Sequence, residues 1–288
     1  MEKIQHNHVQ AKELKLHVTQ IGTSPKVVVF LHGFPEIWYS WRHQMIAGLW
    51  TLIASIRTRE GNLDFVDDVV ALLDSRAHLV AKDFGAFVAA MVGKLHPHRV
   101  STIVLLGVPF LLPGLSPLQA QLPLIPPSFY MLRWMVPGRA EADFGRFDTK
   151  IVIRKFTPGC CYDQEILDLV DSSAPLPPWL SEEDLAGYGS LYEKSGFRTA
   201  LQVPYRTMMQ SCRLDDGKIR VPGLVIMGEQ DHIMKFTGLE DYFRTGKVKE
   251  FAPNLDVTFL AQGNHFVQEQ LPEEVNHLII SFLNKHCK

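Results

Sequence analysis

The chain has 288 residues, enough for one large domain or two at roughly 100–200 residues each. Hydrophobic residues at 46% and charged ones at 21% are ordinary for a folded protein and argue against a disordered or fibrous chain. Lys plus Arg (29) against Asp plus Glu (31) gives a formal charge of −2, which leaves no basic surplus for a dedicated nucleic-acid binder.

In chain order, Leu14 to Val18 alternates apolar and polar residues, as an antiparallel strand with one wet face does. Val27 to Leu31 is a continuous apolar run, the pattern of a strand buried on both faces of an α/β sheet. The loop His32-Gly33-Phe34-Pro35 ends it, and Ser40 is expected to cap a helix running to about Leu49. A short β-rich piece, Leu52 to Ile56, follows. Asp64 is expected to open an amphipathic helix with Val66, Val69, Val70 and Leu73 on one face. His78 to Ala81 reads as a strand, Ala86 to Leu95 as a helix and Ser101 to Val108 as a further buried strand. This β-α-β-α-β order implies a mostly parallel sheet with helices on both sides.

From about Leu111 to Asp215 prolines cluster and no strand series appears; helical stretches include Ser181 to Lys194, with Ser181 and Asp184 fitting a capping box. Strands return at Gly223 to Met227 and Val257 to Leu260, and a last helix runs from Pro272 to about Asn284. The expected organisation is an α/β core of residues 1–110 and 216–288 interrupted by a helical lid of residues 111–215. The longest apolar stretch, Ile103 to Leu115, is broken by glycines and prolines and falls short of the ~18 residues of a membrane span. The residues Met1 to Gln10 lack the apolar core of a secretory signal. The four cysteines form no C-x-x-C pair, so neither a disulfide framework nor a zinc site is read; a cytoplasmic location is the expectation.

The chemistry centres on Ala81-Lys82-Asp83-Phe84-Gly85, an acid between small residues at a strand-to-helix junction. This is the spacing of a nucleophile elbow, with Asp in place of Ser. Taken alone, it reads equally as a helix-capping Asp. Three further features tip the balance. His32-Gly33-Phe34-Pro35 follows the preceding buried strand, where a loop supplies one backbone N–H of an oxyanion hole; Phe34 and Phe84 are the expected donors. Asp231 and His265 each follow a later strand. The order 83, 231, 265 is that of an α/β-hydrolase triad. A carboxylate is already ionised at neutral pH and attacks a saturated carbon without a base, giving an ester that water activated by the histidine then cleaves.

The run His32 to Gln44 (His-Gly-Phe-Pro-Glu-Ile-Trp-Tyr-Ser-Trp-Arg-His-Gln), the Asp83 elbow, Pro137 to Glu141 and Gly263 to Glu269 resemble the soluble plant-type epoxide hydrolases of the α/β-hydrolase superfamily. The resemblance spans nearly the whole chain. It implies an α/β-hydrolase fold with a helical lid, and a small apolar epoxide and water as reactants, with no cofactor and no metal. Lid tyrosines matching Tyr130 and Tyr205 would activate the epoxide oxygen. From the residues alone these two do not stand out among seven tyrosines, and Leu201, Tyr205 and Met208 also share a helical face as core residues would. Two departures from the family pattern appear: the loop after Ile56 is cut short, and the lid is contracted near residues 155–161. Lys82 also stands where many relatives have His. A related hydrolase acting on a halide leaving group, or an impaired homologue that binds an apolar ligand, remain the alternatives. His6-x-His8 and His96-x-His98 lack nearby carboxylate or thiol partners in the sequence, so metal binding is not expected there.

Overall fold

The computed structural model describes residues 4–11, 14–22, 26–48, 51–55, 62–73, 75–107, 129–156, 173, 175–201, 205–206 and 217–286. One eight-stranded sheet organises the chain: β1 (Gln5–Ala11), β2 (Leu14–Ile21), β3 (Val28–Leu31), β4 (Thr51–Ser55), β5 (Ala77–Lys82), β6 (Val100–Leu106), β7 (Gly223–Gly228) and β8 (Leu255–Leu260). Their order is β1-β2-β4-β3-β5-β6-β7-β8. All neighbours from β4 to β8 pair in parallel, whereas β2 runs antiparallel to both β1 and β4. This is an α/β-hydrolase architecture, as the sequence led us to expect.

Alternation along the buried strands assigns the two faces. Val29, Leu31, Leu79, Ala81, Ile103 and Leu105 face α2 (Asn62–Leu72) and α3 (Phe84–Leu95), forming one core. Val28, Phe30, Val80, Val104 and Leu106 face the other way, toward Trp41, Met45 and the long C-terminal helix. Period-two alternation puts apolar residues on both faces of these strands, which demands cover on both sides, and these helices supply it. The remaining helices are α1 (Arg42–Ile46), α4 (Tyr130–Trp134), α5 (Arg139–Phe144), α6 (Thr149–Phe156), α7 (Glu182–Ser195), α8 (Arg198–Leu201), α9 (Leu239–Arg244), α10 (Val267–Gln270) and α11 (Pro272–His286). Between β6 and β7 the described residues hold helices and no strand. Of these helices, α7 begins on the expected box: Ser181 Oγ accepts from the Asp184 N–H at 3.0 Å, and Asp184 accepts from the Ser181 N–H at 3.1 Å.

Several expectations need correction. Ser40 caps no helix running to Leu49. It lies inside a 3-10 turn, Trp38–Trp41, where its hydroxyl accepts the Ile37 N–H at 3.2 Å, and α1 ends at Ile46. The helix expected from Asp64 starts two residues earlier, at Asn62. Strand β1 was not read at all; its residues are polar because it is the outer strand, exposed along most of its length. The strand before the shortened loop survives as β4 and pairs on both sides, so the sheet has no gap. Residues 56–61 and 157–161, where the chain departs from the family pattern, lie outside the described residues, as do all four cysteines.

Candidate active site

Asp83 stands between β5 and α3 with φ 53° and ψ −124°, the one positive φ among described non-glycine residues. Such a conformation is strained for a side-chain-bearing residue, and it lifts the carboxylate out of the strand. Backbone bonds hold the turn: the Asp83 N–H donates to Leu106 O at 2.9 Å, and Asp83 O accepts from the Ala86 N–H at 3.0 Å. The carboxylate itself makes no helix-capping bond. Small neighbours are required. A Cβ on Gly85 would lie 2.5 Å from Leu31 O, and one on Gly33 would lie 2.3 Å from the Asp83 Cβ.

The Phe34 N–H donates to Asp83 Oδ1 at 3.1 Å, and the Phe84 N–H also donates to this carboxylate. On the other side, His265 Nε2 lies 3.4 Å from Asp83 Oδ2. The His265 Nδ1–H donates to both oxygens of Asp231, at 2.9 and 3.0 Å. Asp231 also accepts the Ile233 N–H at 3.0 Å, so it fixes its own turn and the imidazole together. The β7 and β8 loops that carry these two residues meet closely: the Gln230 N–H donates to Gly263 O at 2.9 Å, and a Cβ on Gly228 would lie 2.3 Å from the same oxygen.

Burial governs the electrostatics. It works against the charge on Asp83, but the His265 hydrogen bond, the Lys82 charge and the Phe84 N–H outweigh it and hold the carboxyl below its ordinary range. Burial likewise opposes a charged His265, yet Asp231, with help from Asp83, pushes its pKa up to about 9 against the opposing Lys82. The imidazole of the resting site is therefore a cation between two carboxylates. Asp231 titrates far below a normal carboxyl: burial resists, and His265 and His232 prevail.

Tyr130 and Tyr205 lie together in an aromatic cluster, ring centroids 6.4 Å apart. Tyr205 packs edge-on against Phe34 at 5.5 Å and Phe84 at 5.7 Å, the two residues whose N–H groups meet Asp83. Trp134 lies 4.6 Å from Tyr130 and 5.2 Å from Tyr205. Through Phe34 and Phe84 these rings place Tyr205 beside the groups that meet Asp83, with Tyr130 next to it.

Sequence reasoning missed a second buried layer. Lys82 is fully buried with Nζ 3.6 Å from Glu36 Oε2, and Gln268 donates to the other oxygen of Glu36. Arg42 pairs with Glu269 and, at 3.0 Å, with Asp184 of α7; the Tyr188 hydroxyl donates to Glu269 at 2.9 Å. Burial raises the Glu269 carboxyl to about 7 despite Arg42. A narrow cavity beside this layer is bounded by Pro35, Glu36, Trp179, Tyr188, Phe266 and Glu269. The signal was present in the His32–Gln44 run, whose acid and arginine are too polar for a buried segment unless paired. Among the described residues, Asp231, His232 and His265 bring three potential metal-ligand atoms within 4.8 Å of one another. Within this group His265 Nδ1 is bonded to both oxygens of Asp231, and His232 Nδ1 lies 3.2 Å from Asp231 Oδ1.

A family model described as the alpha/beta hydrolase family matches residues 28–278. Epoxide hydrolase 3 of Siraitia grosvenorii is 31% identical, the match covering 99% of this chain and 100% of that protein. That alignment runs over 317 positions, more than the chain's 288 residues, so the relative holds segments that this chain lacks. Among solved structures, the epoxide hydrolase VrEH1 from Vigna radiata superposes with a TM-score of 0.90 at 31% identity, covering 99% of each chain. Epoxide hydrolase I from potato (Solanum tuberosum) gives 0.88 at 30% identity, covering 98% of this chain and 100% of that one.

Proposed function

The chain belongs to the alpha/beta hydrolase family, among its epoxide hydrolases, and from that premise we propose that it converts epoxides to vicinal diols through a covalent ester on Asp83. One observation carries the reading: the Phe34 N–H donates to an oxygen of Asp83 itself. In a serine hydrolase the oxyanion donors await a substrate carbonyl; here they address the carboxylate of the attacking residue. Such an arrangement suits a tetrahedral intermediate that forms on the enzyme's own side chain.

Asp83 attacks an epoxide carbon, the carbon–oxygen bond breaks, and the electron pair passes to the ring oxygen. The phenols of Tyr130 and Tyr205, protonated at neutral pH, donate to that oxygen as it leaves. Ester formation removes the Asp83 charge that had helped to hold the proton on His265, so that proton passes to the alkoxide left by ring opening and a neutral imidazole remains, free to act as a base. His265 then takes a proton from water, hydroxide adds to Cγ of Asp83, and the new oxyanion rests on the N–H groups of Phe34 and Phe84. Collapse breaks the ester bond, the added hydroxyl gives its proton to the departing oxygen, and the diol leaves a carboxylate that carries one oxygen from water beside a protonated His265. Asp231 orients the imidazole and stabilises its cation. The helices of residues 111–215 act as a lid over a core of residues 1–110 and 216–288, supported by the packing of Tyr130, Trp134, Phe144 and Phe156 around Phe34.

A single turnover with enzyme in excess, run in heavy-oxygen water, tests the route. Unlabelled diol and label in the Asp83 peptide are expected; label in the diol from that first turnover overturns it. Displacement of halide by the same acid is favoured by one feature, the Trp134 indole N–H, which is buried without an acceptor among the described residues and lies beside both tyrosines. Haloalkane turnover that survives a Tyr130→Phe, Tyr205→Phe double change would establish that second reading.

A further inference from the structure

The β1–β2 hairpin joins three histidines that the sequence separates. His6 and His8 are two residues apart on β1 and so point to one face, and His8 is directly opposite His17 on β2. His6 Nδ1 lies 3.1 Å from His17 Nε2, their rings stacked at 5.3 Å, and the His8 ring is 5.5 Å from that of His17. His6 and His8 are exposed. At this distance one nitrogen donates to the other, and a cation that displaced the shared proton would find two imidazole nitrogens already facing each other. Two nitrogens bound to one tetrahedral zinc ion at ~2.0–2.1 Å stand about 3.3 Å apart, close to the separation found here.

We propose that His6, His8 and His17 form a surface site for a borderline divalent transition-metal ion such as Zn2+ or Cu2+, remote from Asp83 and independent of the epoxide reaction. Neutral imidazole suits these ions, and three nitrogens leave a fourth position for water. His6 and His17 supply the preformed pair. His8, on an exposed edge strand, reaches the ion by a side-chain rotation. The site clamps the outermost strand of the sheet to its neighbour. It also has a built-in reporter, because the indole ring of Trp38 lies 5.0 Å from the His6 ring.

The untagged full-length chain is titrated with Zn2+ by calorimetry and with Cu2+ by tryptophan fluorescence. One equivalent of each ion should bind, and Cu2+ should quench Trp38, the quenching being lost in Trp38→Phe. A His6→Ala, His17→Ala double change should weaken Zn2+ binding by at least about tenfold. His8→Gln, at an exposed ring, should fold normally and also weaken it. A His96→Ala, His98→Ala double change should leave it intact. Zn2+ binding that persists in the His6/His17 variant, or is lost only in the His96/His98 variant, overturns the site. So does the absence of stoichiometric binding to the native chain.

Discussion

Asp83 and Tyr205 lie within one site but are held there by different means. Asp83 is fixed by its backbone: a strained φ, bonds from its own N–H and carbonyl to β6 and α3, and glycines at 33 and 85 that admit the neighbouring chain. Tyr205 is fixed by rings, those of Phe34, Phe84, Trp134 and Tyr130, in contacts with offset or edge-on geometry. Hydrogen-bonded turns set a position sharply and tolerate little change. An aromatic cluster sets it through volume and shape, and different sequences can fill the same space. The proposed nucleophile is thus a property of the sheet, and the proposed electrophilic groups are a property of the packing above it.

The sharpest break in that contrast is Asp83→Asn. It leaves the turn intact and removes the attacking charge, so epoxide turnover should fall by roughly 10^4-fold or more, with no ester adduct by intact mass. On the packed side, Tyr130→Phe with Tyr205→Phe keeps both rings and removes both hydroxyls. Turnover should fall on the order of 10^2–10^4-fold while the melting temperature stays within a few degrees of the native value. Tyr205→Ala instead should cost roughly 3–5 kcal/mol of stability, measured by denaturant unfolding, because it opens a cavity in the cluster.

Titration sharpens the comparison further, since only the hydrogen-bonded half of the site carries charge. The His265 pKa is raised by folding to about 9 from an ordinary 6.5. Its contribution to stability is therefore complete below pH ~6.5 and lost as pH rises through about 9. Unfolding by urea at pH 6, 7.5 and 9.5 should show stability falling across that window, and His265→Gln should flatten the decline. The smallest effect is expected from Lys82→Met. The Lys82 ammonium opposes protonation of His265 and favours ionised Asp83, while Glu36 faces it from the β3 loop. Its removal should move the acid limb of ester breakdown to higher pH, a change of a few-fold in rate near neutrality, read by rapid-quench kinetics.

The same contrast governs what the sequence disclosed. Parallel strands such as Val28–Leu31, Ala77–Lys82 and Gly223–Gly228 are buried on both faces, the elbow and the acid follow two of them, and the histidine follows the partly exposed β8, so the hydrogen-bonded half was legible. Tyr130 and Tyr205 came from family resemblance alone, because ring packing leaves no spacing rule in the chain. The buried charge layer was hidden for another reason. Arg42 and Glu269 are 227 positions apart, and neither residue reveals its partner until the sheet has brought β3 and β8 loops together. Strand β1 escaped notice because an outer strand needs no apolar face, and its histidines acquired neighbours only when β2 folded back on it.

The strand order has a consequence for biosynthesis. Strand β8 is the outermost of the parallel set and the last made, and His265 follows it. Of the proposed catalytic residues, Asp83 is therefore made first and His265 last, after every strand of the sheet. On the proposed route, a nascent chain holding Asp83 without His265 could form the ester but not cleave it.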